Sequence, residues 1–394
     1  MSEGVRKLLE KTAFRSIDVE QLLDPNRPTW VKFDPELGYV PDNVVMRDGV
    51  DNSRTTYTYE RAGNRRVVNY ADHLCRINTY GNSYTQCQQV SDDETWQERL
   101  AAHIGEPIRN FGCGGYGVYQ SYRRAMRVEA TDSGAEYIIL NIFHDDHVRN
   151  LDAARWIRSA WGKETPPPDE PCQLHGLPWV HLRFDVGQGK FVELPGLCSN
   201  EQDLRRLCEP GAFYEAFKDD AIARLFTLEI GGEAEIGDLE DVAEAMRVKV
   251  NLRNPATRRE DALKLRLAYG FKSTEYILER MLPWAEQRGK KVVLLLSYGR
   301  SILPKLLEGE ERFDQVFIDY LDSNKIPYVD GLRKHAEDFR ALGVSAQQYA
   351  DRYYVPAAVA AVFGHYSPSG NLFFAFAVKD EIVEWLDPKP PAYA

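Results

Sequence analysis

Apolar runs separated by amphipathic stretches set the pattern of this chain. The run Leu74–Thr79 reads as a strand that ends at Tyr80, and Tyr137–Phe143 and Lys291–Leu296 read as two further strands. Ile326–Asp330 reads as the last. Between them lie helical patterns: Asp93–Leu100 opens an amphipathic helix with acids in its first turn, and a second helix carries Tyr122-Arg123-Arg124. A long helical run covers 257–288, and a closing helix extends from Phe373 through Leu386. Strands alternating with helices predict an α/β protein with a parallel sheet and right-handed crossovers.

The pattern is interrupted twice. Residues 1–70 carry turn signals at Phe33–Tyr39 and a β-branched, aromatic stretch at Thr55–Tyr59, which predict a β-rich N-terminal extension packed on the core. Residues 151–255, bounded by Pro166-Pro167-Pro168 and Asn254-Pro255, differ in character from both flanks. A structureless loop of that length is uncommon in a compact domain, so this segment predicts an inserted subdomain, with a hairpin around Leu182–Val192 and a short helix at Asp219–Leu225. The core is then split into 71–150 and 256–394. An insertion leaving after Tyr137–Phe143 emerges at the carboxyl edge of the sheet and is expected to wall or lid a ligand site there.

Composition narrows the function. The 49 basic and 60 acidic residues give a net charge of −11, and the basic residues are scattered, so the electrostatic footprint of a nucleic-acid binder is missing. A small-molecule or carbohydrate substrate is the expected partner. No apolar run is long enough to span a bilayer, and the charged start Met1–Lys11 does not have the form of a signal peptide, which reads as cytoplasmic. The six cysteines show no CxxC spacing and are expected to be free thiols.

Candidate chemistry begins at Gly81-Asn82-Ser83-Tyr84-Thr85, where a serine follows a strand in a turn that can present its hydroxyl. A serine needs a base, oxyanion donors and an orienting group before it is a nucleophile. Three further segments stand in order along the chain: Asn110-Phe111-Gly112-Cys113-Gly114-Gly115, Phe143-His144-Asp145-Asp146 and Gly364-His365. Together the four resemble blocks I, II, III and V of the SGNH/GDSL hydrolases over 71–150 and 290–385. The resemblance implies a three-layer α/β/α flavodoxin-like fold and ester hydrolysis, often of acetyl or other acyl groups on carbohydrates. It also implies Ser83 as nucleophile and His365 as base. The backbone N–H groups of Ser83 and Gly115, joined by the side chain at 145, would form the oxyanion hole.

Three positions depart from that pattern. Asn82 stands where the family has Asp, and Asp145 stands where it has Asn, so amide and carboxylate have changed places. An ionised carboxylate has no hydrogen to give an oxyanion, so Asp145 could serve only if protonated, a state that burial or its neighbour Asp146 would favour. The acid two or three residues before the histidine is missing, those positions being Phe363 and Val362. His365 then works as half of a dyad, finds a backbone carbonyl, or takes a carboxylate from Asp330, Asp351 or Asp146.

Other residues complete the expectation. His147 and Arg149 are expected at the rim of the substrate site, Tyr116 on a sugar face, and Arg300, after the strand Lys291–Leu296, on an anionic substrate group. His144–His147 lacks a full ligand set, so neither a metal nor another cofactor is expected. The leading reading is a serine-dependent esterase that removes an acyl group, acetyl foremost, from a carbohydrate or similar polyol. The alternatives are a glycosidase or acyltransferase built on Asp145 and Asp146, and a non-catalytic carbohydrate-binding protein.

Overall fold

The computed structural model describes residues 2–160, 174–356 and 364–394. The chain divides into two compact units: Met1–Asp42 with Gly117–Gln120 and Asp145–Leu278, and Asn43–Tyr116 with Ser121–His144 and Glu279–Ala394.

The second unit holds the sheet. Five strands, β1 (Ile77–Gly81), β2 (Arg109–Asn110), β3 (Tyr137–Phe143), β4 (Lys291–Ser297) and β5 (Tyr328–Asp330), lie side by side in the order β2-β1-β3-β4-β5. Every pairing is parallel, with Gly81 opposite Asn141, Leu295 opposite Asn141 on the other side, and Leu296 opposite Asp330. The protein is thus an α/β protein with an all-parallel central sheet, as its strand and helix pattern predicts. All seven residues of β3 are buried. This explains its lack of polar alternation: a central parallel strand has no face in water. Each buried leucine or isoleucine there contributes roughly 1.5–3 kcal/mol relative to exposure.

The chain runs from β1 outward to β2 and then returns past β1 to β3. The direction of winding therefore reverses at the carboxyl ends of β1 and β3, where open parallel sheets form their ligand crevice. Helices α1 (Ser83–Gln86), α2 (Trp96–Ile104), α3 (Gly331–Leu342), α4 (Ala346–Tyr353) and α5 (Pro368–Trp385) belong to the same unit. The Trp96 backbone N–H of α2 donates to Asn371 Oδ1 of α5 at 3.2 Å.

The first unit is mainly helical. The N-terminal extension, expected to be β-rich, opens on two helices, Glu3–Thr12 and Ser16–Leu23, before the hairpin Val31–Asp34/Gly38–Pro41. In the first of these Val5, Leu8, Leu9 and Thr12 recur at helical spacing and bury one face, a period hidden among charged neighbours. A hairpin of His181–Asp185 and Lys190–Leu194 and helices Glu201–Arg206, Pro210–Phe217, Ala221–Glu229 and Gly237–Ala245 follow. The long helical run is a single helix, Arg258–Glu286. Among the described residues no helix is long and apolar enough to cross a membrane.

Candidate active site

β1 ends at Gly81, whose φ of +152° and surroundings demand glycine: a Cβ there would lie 2.1 Å from Thr85 Oγ1 and 2.5 Å from the Asn141 carbonyl oxygen. Asn82 then caps α1, its Oδ1 accepting the Tyr84 backbone N–H at 2.7 Å. Asparagine caps a helix as well as aspartate does, so the exchange at position 82 leaves the turn intact. Ser83 is the first residue of α1 and is 8% exposed.

His365 reaches Ser83 from the far end of the chain. An isolated bridge pairs Tyr354 with Tyr366, the Val355 N–H donates to the His365 carbonyl at 2.9 Å, and Ser367 caps α5 immediately afterwards. The Tyr84 ring stacks on Phe143 at 4.5 Å and lies 5.2 Å from the His365 ring, which confines the imidazole on one side. His365 Nε2 lies 2.7 Å from Ser83 Oγ.

The other imidazole nitrogen faces Gln89. Its Oε1 lies 3.1 Å from His365 Nδ1 and accepts the His365 backbone N–H at 2.8 Å. The backbone donor identifies that atom as the amide oxygen, so Nδ1 carries the hydrogen and Nε2 presents its lone pair to the serine hydroxyl. The three carboxylates considered for this role are engaged elsewhere. Asp330 caps α3 through the Leu332 N–H and pairs with Arg312 at 2.7 Å, Asp351 pairs with Arg300, and Asp146 pairs with Arg149 at 2.7 Å. Val362 and Phe363 lie outside the described residues.

Gln89 adopts a left-handed backbone conformation (φ +74°), as does Cys87 (φ +58°), and neither is glycine. Such a turn costs of order 1–3 kcal/mol per residue and persists only when the surroundings hold it. Buried Arg65 supplies that hold. Its Nη1 donates to the carbonyls of Gln86 and Cys87 at 2.7 and 2.8 Å, its Nη2 to those of Thr56 and Val90, and its Nε to Asp92 Oδ1 at 2.9 Å. The Gln89 N–H donates to Tyr57 Oη at 2.6 Å, which donates in turn to Asp48 Oδ2 at 2.6 Å.

The glycine loop after β2 packs on the same helix. A Cβ at Gly112 would lie 2.1 Å from the Gln86 nitrogen, so only glycine permits that approach. Gln86 Oε1 accepts the Gly114 N–H at 2.8 Å, and its Nε2 donates to Tyr59 Oη at 2.6 Å. The Tyr116 N–H closes a turn onto the Cys113 carbonyl with Gly115 at φ +86°. The N–H groups of Ser83 and Gly115 donate to nothing among the described residues.

The remaining expected site residues are placed differently. Asp145, Asp146, His147 and Arg149 belong to the first unit. Burial would raise the Asp145 carboxyl, but Arg158 and Arg149 outweigh it and hold it well below the usual carboxylate range, with ion pairs at 3.2 and 2.9 Å. Asp145 is therefore ionised and has no hydrogen for an oxyanion. His147 and Arg149, expected at a rim, are each 3% exposed, and His147 Nδ1 lies 2.8 Å from Thr274 Oγ1. Tyr116 is fully buried, so its ring has no face open to a sugar. Among the described residues no group of three or more metal-ligating side chains occurs, and five cysteines are free. No family model matches the chain, and no curated protein matches it.

Proposed function

We propose that the protein is a serine-dependent ester hydrolase of the SGNH type, on a flavodoxin-like α/β/α fold, that removes an acyl group, acetyl foremost, from a carbohydrate or similar polyol. The observation that carries this reading is the 2.7 Å hydrogen bond between Ser83 Oγ and His365 Nε2, with the opposite ring nitrogen bound to an acceptor. The strand order β2-β1-β3-β4-β5 supports the fold, because the serine follows the strand at which the winding reverses.

In this mechanism His365 Nε2 takes the Ser83 proton as Oγ attacks the ester carbonyl, and the imidazolium then gives that proton to the departing alcohol. A water repeats the sequence on the acyl-enzyme, which releases the carboxylic acid and restores the serine. Negative charge on the tetrahedral oxygen is met by the Ser83 and Gly115 N–H groups. Each such donor is worth about 3 kcal/mol of transition-state stabilisation where it is well placed. Asp145 has no part in the step. Glycoside cleavage by Asp145 and Asp146 has no comparable support, since both are ion-paired to Arg149 and Asp145 holds no proton to donate.

A fluorophosphonate probe tests the proposal directly. The expected result is a covalent adduct on Ser83 by mass spectrometry, together with hydrolysis of p-nitrophenyl acetate that is lost in Ser83→Ala. Carbohydrate binding with no adduct and no turnover would instead make the protein a binding module.

A further inference from the structure

Among the described residues the buried arginines are paired, with one exception. Arg65, Arg124, Arg149, Arg224 and Arg266 are each 7% exposed or less, and each guanidinium donates to a carboxylate or a carbonyl. Arg155 in the first unit is 8% exposed and makes no hydrogen bond or ion pair through its side chain among the described residues. Its Nε is completely buried without a partner, and the small area that remains accessible leaves its terminal nitrogens to face solvent.

The surroundings hold this side chain in place without neutralising it. Ala154 forms a β-bridge with Pro178, and the Trp156 N–H donates to the Gly176 carbonyl at 2.9 Å. Gly176, at φ +72°, packs so closely that a Cβ there would lie 3.3 Å from Arg155 Cβ. Two of the nearby charges are themselves arginines. Burial first, then Arg149, lower the Arg155 guanidinium to about 10, with Asp145 and Tyr39 acting the other way and Arg158 adding to the repulsion. Neither neighbouring arginine has a fork to spare: Arg149 binds Asp145 and Asp146, and Arg158 binds Asp152 at 2.7 Å and Asp145. An unpaired desolvated cation beside two other arginines is costly to the fold and is what an anion site requires before its ligand arrives.

We propose that Arg155 is the anchor of a ligand site that takes the carboxylate group of a small molecule. One planar guanidinium fork, with those of Arg149 and Arg158 already engaged, matches the two oxygens of a carboxylate in a bidentate contact. A phosphate dianion would be left half-neutralised, because the forks of Arg149 and Arg158 are occupied.

Thermal unfolding of the full chain tests this, with sodium acetate as the probe against sodium chloride and sodium phosphate at matched ionic strength. Acetate is expected to raise the Tm of the unmodified protein and of Ser83→Ala alike, by about 2–4 °C at saturating concentration, and to leave Arg155→Met unmoved. Without acetate, Arg155→Met is expected to melt at or above the temperature of the unmodified protein, because it removes an unpaired buried charge. A purely structural arginine would give the opposite, a lower Tm or failure to fold, and either overturns the proposal. An acetate shift that survives in Arg155→Met also overturns it, as does stabilisation by phosphate alone. Calorimetric titration of the unmodified protein with acetate gives an answer that needs no variant: heat of binding supports the site, and none at saturating concentration removes it. A shift absent from Ser83→Ala but present in Arg155→Met would locate acetate at the proposed hydrolase site and leave that reading standing while this one falls.

Discussion

Gln89 Oε1 accepts two hydrogens from His365, one from the backbone nitrogen at 2.8 Å and one from Nδ1 at 3.1 Å. A single neutral amide oxygen therefore sets both the position and the tautomer of the imidazole. It does the orienting part of an acid's work without supplying the charge that steadies an imidazolium. Two substitutions separate these parts. Gln89→Leu removes the acceptor and is expected to lower kcat at least about tenfold with little change in KM, because the serine–histidine pair loses its alignment. Gln89→Glu keeps the acceptor and adds charge, which favours the imidazolium and moves the acid limb of the kcat/KM profile up by about one pH unit. Profiles on p-nitrophenyl acetate check both, and an unchanged rate in Gln89→Leu would remove Gln89 from the site.

If Ser83 and His365 act as one unit, their losses do not add. Ser83→Ala, His365→Ala and the double variant are expected to fall to the same residual rate, on the order of 10³-fold or more below the unmodified enzyme. Additive losses in the double variant would mean that the two residues serve separate steps.

Much of this was legible in the sequence. The strands Tyr137–Phe143 and Lys291–Leu296 announce themselves because both faces of a central parallel strand are covered, and Ser83 and His365, which the sequence singles out, lie within hydrogen-bonding distance. Gln89 was not legible. It lies six residues after Ser83, is neutral, and sits in a turn whose left-handed conformation comes from Arg65 rather than from glycine or asparagine. A search for a missing carboxylate passes over it, and only the folded backbone aims its amide at His365. The misplacement of His147 and Arg149 has a similar origin. Charged residues after a strand end read as solvated, whereas these two are buried, His147 against the helix Arg258–Glu286, with Gly270 so close that its Cβ would lie 3.0 Å from the His147 carbonyl carbon.

Arg65 holds the turn that carries Gln89 while touching neither Ser83 nor His365. Arg65→Met leaves the carbonyls of Gln86, Cys87, Thr56 and Val90 without a donor and Asp92 without its ion pair. The expected cost is about 3–5 kcal/mol in urea unfolding. Ser83→Ala, which removes one hydroxyl, is expected to stay within about 1 kcal/mol of the unmodified protein. The pair of measurements distinguishes a clamp from a catalytic residue: equal stability of the two variants would show that the turn holds itself.

The last prediction concerns pH and lies in the first unit. Asp220 caps the helix Ala221–Glu229 through the Ala223 N–H at 2.7 Å, and it lines a cavity of about 260 Å³ with Leu151, Leu182 and Ile222. Burial, with Asp152 adding to it against the pull of the Ala223 N–H and Arg224, raises its carboxyl from 3.8 to about 7. The folded protein thus keeps a proton that the unfolded chain releases, so the folded state binds more protons between those two values and stability falls as pH rises through them. The contribution is complete below about 3.8 and gone above about 7. Asp220→Asn keeps an oxygen to cap the helix and has no proton to lose. Its stability relative to the unmodified protein is therefore expected to climb from pH 5 to pH 8, by on the order of 1–2 kcal/mol once water in the cavity screens the charge. Urea unfolding of both proteins at each pH measures the difference, and a gap that does not change with pH would mean that Asp220 is already ionised throughout.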